Sequence, residues 1–108
     1  NQLKGIEPPY VPQYVDRPSW YMYAIKMGEV FRDPLIDHLT SKAIDPRLSF
    51  PPIHIQPYYS KKFGYNAEDY LKAWQSYSTF LDIPIWAGMG ESNQDFVIDQ
   101  ISSFINQY

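Results

Sequence analysis

The sequence predicts an α+β fold: a small two-layer domain in which a short, mostly antiparallel sheet carries about three helices. Three observations lead there. Apolar residues recur at helical spacing in three stretches, 35–43, 70–81 and 97–105. Short runs of aromatic and β-branched residues lie between them and suit a pleated surface, residues 20–27 above all. A chain of 108 residues is long enough for one core.

Residues 1–18 read as a Pro-rich extended tether, and 19–108 as the domain it leads into. Pro8, Pro9, Pro12 and Pro18 allow neither a helix nor a central strand. Tyr10, Val11, Tyr14 and Val15 are available to hold the tether to the domain surface. In the strand at 20–27, Trp20, Met22 and Ala24 share one face, and Tyr21, Tyr23 and Ile25 share the other. Both faces are mostly apolar, which predicts a central strand covered on both sides and ended by Gly28. Asp33 as N-cap and Pro34 at the first helical position then open a helix. Its core stripe is Leu35, Ile36, Leu39 and Ala43, with Lys42 in the last turn and His38 on the exposed flank. Residues 44–50 make a short strand, and its Arg47 is either a surface charge or a contact for an anionic group.

The stretch 50–59, with Pro51, Pro52 and Pro57, is predicted to be stiff and extended, because proline fixes φ and removes a donor. In an extended chain Ile53 and Ile55 anchor one face while His54 and Gln56 look into a cleft. Two readings of this stretch stay open, a connector with one surface histidine or a recognition segment. Lys61, Lys62 and Gly64 form a polar turn. Asn66 caps the next helix, with Glu68 and Asp69 in its first turn. Tyr70, Trp74, Tyr77 and Leu81, beside Ala67 and Leu71, read as core packing. Residues 83–86 are at best an edge strand, because of Pro84. Gly88 and Gly90 turn the chain into the last helix. Ser92 caps it with Asp95 three residues on, and Val97, Ile101, Phe104 and Ile105 form its apolar face.

Composition narrows the function. A net charge of −3 with no basic patch argues against nucleic acid as a partner. The absence of cysteine excludes disulfides and thiolate metal sites. His38 and His54 have no carboxylates at metal-ligand spacing, so no metal is expected. No apolar run approaches about 20 residues, so no membrane span is expected. Neither nucleotide fingerprint is present, and there is no nucleophile elbow. The carboxylates are scattered over caps and helix surfaces, so no catalytic residue is assigned. Ten tyrosines, six phenylalanines and three tryptophans point instead to a surface that meets a partner or ligand. The chain starts at Asn1 and reads as a fragment or a processed chain.

Six pieces occur in one order: Ser19-Trp-Tyr-Met-Tyr-Ala-Ile-Lys26, Phe31-Arg-Asp-Pro-Leu-Ile-Asp-His-Leu39, Phe50-Pro-Pro-Ile-His-Ile-Gln-Pro-Tyr-Tyr59, Phe63-Gly-Tyr65, Leu81-Asp-Ile-Pro-Ile85 and Gln94-Asp-Phe-Val-Ile98. Together they resemble the C-terminal portion of the DegT/StrS sugar aminotransferases, pyridoxal-phosphate enzymes of fold type I. The resemblance implies a fold like the small C-terminal domain of those enzymes. It implies a parent enzyme that moves an amino group, usually from glutamate, to a nucleotide-linked keto-sugar. The products feed O-antigen, capsule, other polysaccharide or glycosylated metabolites. It further implies a cytoplasmic homodimer with active sites at the subunit interface. The cofactor, pyridoxal 5'-phosphate, and its Schiff-base lysine belong to a missing N-terminal domain. This stretch then binds no cofactor and does not transaminate alone; it closes the sugar side of the site. By the family's motif His54 matches a histidine that approaches the sugar, and Gln56, Tyr58 and Tyr59 line the same cleft. A neutral imidazole can hydrogen-bond a sugar hydroxyl or the diphosphate. Arg47 and Tyr23 are weaker candidates for substrate binding, each read first as structural. The competing readings are a stand-alone carbohydrate-binding module and a dimerisation domain without catalysis.

Overall fold

The computed structural model describes residues 3–108. At its centre β1 (Tyr23–Lys26) pairs antiparallel with β2 (Phe80–Ile83), Ile25 opposite Leu81. A single-residue bridge extends each free edge, Glu7 on Lys26 and Arg47 on Asp82. Pro8 and Pro9 follow Glu7 and have no N–H to donate, so that pairing stops there.

Residues alternate across a strand, so Tyr23, Ile25 and Met27 share a face with Leu81 and Ile83. Two helices cover that face, α1 (Glu29–Ser41) and a C-terminal helix (Glu91–Ile105). Ile25, Leu35, Leu39, Leu81, Ile101 and Phe104 are the centre of the core. The expectation of a strand covered on both sides is corrected: on the other face Met22 and Ala24 are half-buried and Lys26 is exposed. Phe80 and Asp82 of β2, on that same face, are half-buried as well.

Helix α1 starts five residues earlier than the Asp33-Pro34 pair predicted. Gly28 is its N-cap, and Phe31 N–H bonds the Gly28 carbonyl at 3.0 Å. Asp33 accepts from Arg32 Nε at 2.9 Å rather than capping. Pro34 therefore sits inside the helix and denies a donor to the carbonyl of exposed Val30, where water can replace it. The helix ends in a Schellman motif: Ala43 N–H reaches Thr40 and Ile44 N–H reaches Leu39, each at 3.0 Å. Ala43 takes φ +58° and leaves the core stripe, and buried Ile44 replaces it. His38 is not on the surface. Its ring lies 5.7 Å from Phe104, half-buried, with Nε2 enclosed and without a hydrogen-bond partner. The C-terminal helix packs along that flank.

The stretch expected to be extended holds a 3₁₀ turn (Ile53–Ile55) and then α2 (Pro57–Phe63). A further 3₁₀ turn (Ala67–Tyr70) leads into α3 (Leu71–Thr79), and Asp69 takes the Asn66 N–H at 2.7 Å. Helix α3 stops at Thr79 because Met27 N–H bonds the Thr79 carbonyl at 3.0 Å and draws the chain onto β1. Leu81 thus belongs to β2 rather than to a helical stripe, and Pro84 ends β2 instead of lying in an edge strand. Trp74 and Tyr77 are half-buried, whereas Tyr70 and Leu71 are exposed, so the stripe is only partly core. Arg32 ties α1 to α3, its guanidinium 5.2 Å from the Tyr77 ring centroid and its Nη1 donating to the Tyr77 carbonyl.

The C-terminal helix, α4, has Gly90 as N-cap; Ser92 and Asp95 supply no cap. Gly88 makes the turn before it at φ +82°. Its apolar face is as predicted: Val97, Ile101 and Phe104 are buried and Ile105 half-buried. The strand predicted over 44–50 reduces to the Arg47 bridge. Leu3 and Ile6 pack against the core, while Tyr10 and Tyr14, expected to hold the N-terminal stretch down, are 83% and 87% exposed. The expectations for residues 1 and 2 lie outside the described residues. No helix among the described residues is long and apolar enough to cross a membrane.

Candidate functional site

The prolines of 50–59 start helical turns here. Pro52 is the N-cap of the 3₁₀ turn, and Pro57 is in the first turn of α2, where no donor is missed and φ is already suitable. Ile55 N–H bonds the Pro52 carbonyl, and Gln56 N–H bonds that of Ile53, both at 3.1 Å. In a 3₁₀ turn successive side chains step by a third of a circle and no longer alternate. The predicted facing is thereby reversed: Ile53 is 66% exposed and His54 only 7%.

His54 is held from two sides. Its Nε2 lies 3.1 Å from the Ala67 carbonyl, and its ring centroid is 5.0 Å from that of Tyr70. A carbonyl only accepts, so Nε2 donates this bond, and an imidazole with its one proton there has its acceptor at Nδ1. Gln56 donates through Nε2 to the Pro51 carbonyl at 3.2 Å and closes the loop before α2.

From His54 a row of aromatic rings runs outward. Tyr70 meets Tyr65 at 5.5 Å, and Tyr65 meets Phe63 at 5.5 Å. Phe63 lies parallel to Tyr59 within 12° at 6.5 Å, and Tyr59 meets Tyr58 at 5.1 Å. The neighbouring phenol of Tyr70 pushes that of Tyr65 up from its ordinary value, first by hydrogen bonding and then by repulsion between the two groups as they ionise. Lys62 Nζ donates to Tyr58 Oη at 3.3 Å and lies 5.5 Å from both the Tyr58 and Phe63 centroids. Predicted residues His54, Gln56, Tyr58 and Tyr59 thus share one neighbourhood. Lys62, Phe63, Tyr65 and Tyr70 were missed as members. Reading Pro57 as a helix start would have found two of them, since Tyr58/Lys62 and Tyr59/Phe63 are i,i+4 pairs.

Arg47 stands elsewhere. It is bridged to Asp82, reaches Asp45 at 3.4 Å, and lines a cavity of about 330 Å³ with Tyr21, Asp82 and Trp86. Burial pushes the Asp82 carboxyl up from its ordinary value, and Oδ1 is enclosed without a partner. A larger groove of about 590 Å³ is apolar, walled by Trp20, Tyr23, Ile83, Trp86, Met89 and Val97 among others. Neither cavity is lined by a lysine, and all six lysines are exposed on the surface. A phosphate-bearing cofactor that forms an imine needs both a lysine in a cleft and an anion cradle. The described residues do not make such a site. Nor do any three described His, Asp or Glu residues cluster to hold a metal ion.

The model of the DegT/DnrJ/EryC1/StrS aminotransferase family matches residues 1–102. The chain belongs to that family. It is 30% identical to the spore coat polysaccharide biosynthesis protein SpsC of Bacillus subtilis, over 96% of this chain and 28% of that protein. Among solved structures it resembles DesV of S. venezuelae in complex with a ketimine intermediate, with a TM-score of 0.79 and 27% identity over 95% of this chain and 27% of that one. The PLP-form of the sugar aminotransferase Spr1654 from Streptococcus pneumoniae shares the fold, with a TM-score of 0.77 and 17% identity over 94% of this chain and 26% of that one. The family is one of sugar aminotransferases, and the α+β architecture is that of its solved members. The chain spans a little over a quarter of the length of these relatives.

Proposed function

We propose that these residues form the sugar-facing wall of a pyridoxal-phosphate-dependent aminotransferase. The enzyme transfers an amino group, from glutamate, to a nucleotide-linked keto-sugar that enters polysaccharide or a glycosylated metabolite. It works in the cytoplasm as a homodimer, and the remaining polypeptide holds the cofactor. The match over residues 1–102 carries this reading. The cofactor, where bound, supplies the electron sink and carries the amino group.

This chain's share is positioning. His54 is braced by Ala67 and Tyr70, so its Nδ1 is aimed without rotamer freedom and accepts from a sugar hydroxyl. Gln56 stiffens the approach, and Tyr58 and Tyr59 extend the wall outward. Arg47 meets an anionic group of the substrate from the second cavity. Residues 1–18 run from the cofactor domain to the small domain, 19–108.

The test is the full-length enzyme, assayed for cofactor absorbance and for amino transfer from glutamate to keto-sugar nucleotides. His54→Gln, which keeps an N–H near Nε2 and loses the Nδ1 acceptor, is expected to lower turnover at least tenfold, about 1.4 kcal/mol, with absorbance unchanged. A full-length protein that neither binds cofactor nor transfers the amino group would overturn the aminotransferase reading. Wild-type kinetics in His54→Gln would remove His54 from the site.

A further inference from the structure

We propose that Asp69 is a positioning residue for the sugar contact: its carboxylate closes the turn that holds His54 and so aims the His54 Nδ1 acceptor. The proposal rests on the reading of the preceding subsection, in which His54 meets the sugar, and adds to it a residue that touches no substrate.

A histidine side chain turns about two bonds, so one contact alone leaves its ring free to swing. His54 has two contacts, and both come from one short stretch. They are the Ala67 carbonyl, 3.1 Å from Nε2, and the Tyr70 ring, 5.0 Å from the imidazole centroid. Ala67 acts through its backbone, so the direction of that carbonyl follows from the shape of the turn and from no side chain of its own. The turn, Ala67–Tyr70, is closed across one pair of residues. Asp69 N–H donates to the Asn66 carbonyl at 3.1 Å, and Asn66 N–H donates to Asp69 Oδ2 at 2.7 Å. Bonds of the 3₁₀ type have poor geometry, so the second, short and charge-assisted, carries more of the closure. Asp69 thus stands between the two residues that hold His54 and fixes both. Nothing else claims its carboxylate. It is exposed, and the three ion pairs among the described residues are Lys26–Glu7, Arg32–Asp33 and Arg47–Asp45. Nor does it cap α3, whose N-cap is Tyr70. Its charge is felt by the Tyr65 phenol, and only as the smallest of the causes that raise it.

The test is a double-mutant cycle in the full-length enzyme. Asp69→Ala is expected to lower kcat/KM for the keto-sugar about 5-fold or more, well within what an ångström of misplacement can cost. Cofactor absorbance and the KM for the amino donor are expected to stay at the parent's values. Asp69→Asn keeps an acceptor and drops the charge felt by Tyr65, and is expected to restore kcat/KM. In the His54→Gln background, Asp69→Ala is expected to add less than about a 2-fold loss, because the acceptor it aims is already gone. Parental kinetics in Asp69→Ala, or equal losses with and without His54, would overturn the proposal. A spectrum of the chain labelled with ¹⁵N-histidine reads the same contact without catalysis, since only His38 and His54 contribute. The His54 Nε2–H is expected to be seen in the parent and in Asp69→Asn, and lost to exchange with water in Asp69→Ala. Its absence from the parent, or its survival in Asp69→Ala, overturns the proposal whatever the enzyme does. Failed amino transfer in the full-length parent condemns the aminotransferase reading instead.

Discussion

The imidazole of His54 and the phenol ring of Tyr70 lie 5.0 Å apart at a tilt of 58°, and the turn that carries Tyr70 also offers His54 the Ala67 carbonyl. One histidine thus joins two turns that are 13 residues apart in sequence. His54→Ala removes a buried ring and orphans the carbonyl, which costs about 1–3 kcal/mol. The extended reading of residues 50–59 placed His54 in a cleft and implied that its removal leaves stability intact; burial to 7% exposure reverses that expectation. Thermal melts of the alanine and glutamine variants check it, with His54→Gln expected closer to the parent. An alanine variant that melts with the parent would show that the contact to Ala67 contributes nothing.

Ala43 occupies a glycine's place. It is the left-handed residue of the Schellman motif that ends α1, at φ +58°. A Cβ in that region is disfavoured by about 1–2 kcal/mol, partly offset by glycine's larger chain entropy when unfolded. Ala43→Gly is expected to stabilise the domain by about 0.5–1 kcal/mol, read as a rise in the midpoint of urea unfolding. A fall in the midpoint would contradict the strain argument.

Asp82 is expected to make stability depend on pH. Burial raises its carboxyl, so the folded state holds that proton more tightly than the unfolded state. The contribution favours folding below the ordinary carboxyl value and is lost as pH climbs through the raised one, leaving a penalty at neutrality. Asp82→Asn removes the charge and keeps the shape. Its melting midpoint is expected to exceed the parent's at pH 7 by roughly 2–4 °C, on the order of 0.5 kcal/mol. The difference closes near about pH 3, where both side chains are neutral. Melts at the two pH values decide it, and a variant less stable than its parent at pH 7 would refute the assignment.

Ile101 tests the core. It is 3% exposed on α4, in one cluster with Ile25 and Leu81 of the sheet. Ile101→Asp loses about 1.5–3 kcal/mol of apolar burial and adds a desolvated carboxylate. That sum approaches the whole stability of a typical small domain, about 5–15 kcal/mol. The expected outcome is the loss of a cooperative melt, followed by circular dichroism. A melt unchanged from the parent would show that α4 is not docked as described.

Some elements were legible because a local pattern sufficed. The stripe Val97, Ile101, Phe104 on α4 repeats at helical spacing, and its packing follows from that alone. Leu35 and Leu39 did the same for α1, although its start was misplaced. Gly28 is a bare N-cap with no side chain to announce it, while Asp33-Pro34 imitates a start five residues later. Pro57 misled in the opposite sense, because the residue that breaks a helix interior also suits its first turn.

Sequence by itself determined an α+β domain with Ile25, Leu39, Leu81 and Ile101 in its core, since hydrophobic periodicity is a property of neighbours along the chain. Tertiary structure alone decided where residues 80–83 belong and which way His54 faces. Helix and strand compete closely after Thr79, and the Met27 N–H on its carbonyl settles the outcome in favour of β2. The partner that buries His54 is the carbonyl of Ala67, and no spacing rule connects the two, because every residue presents the same carbonyl and only folding selects one.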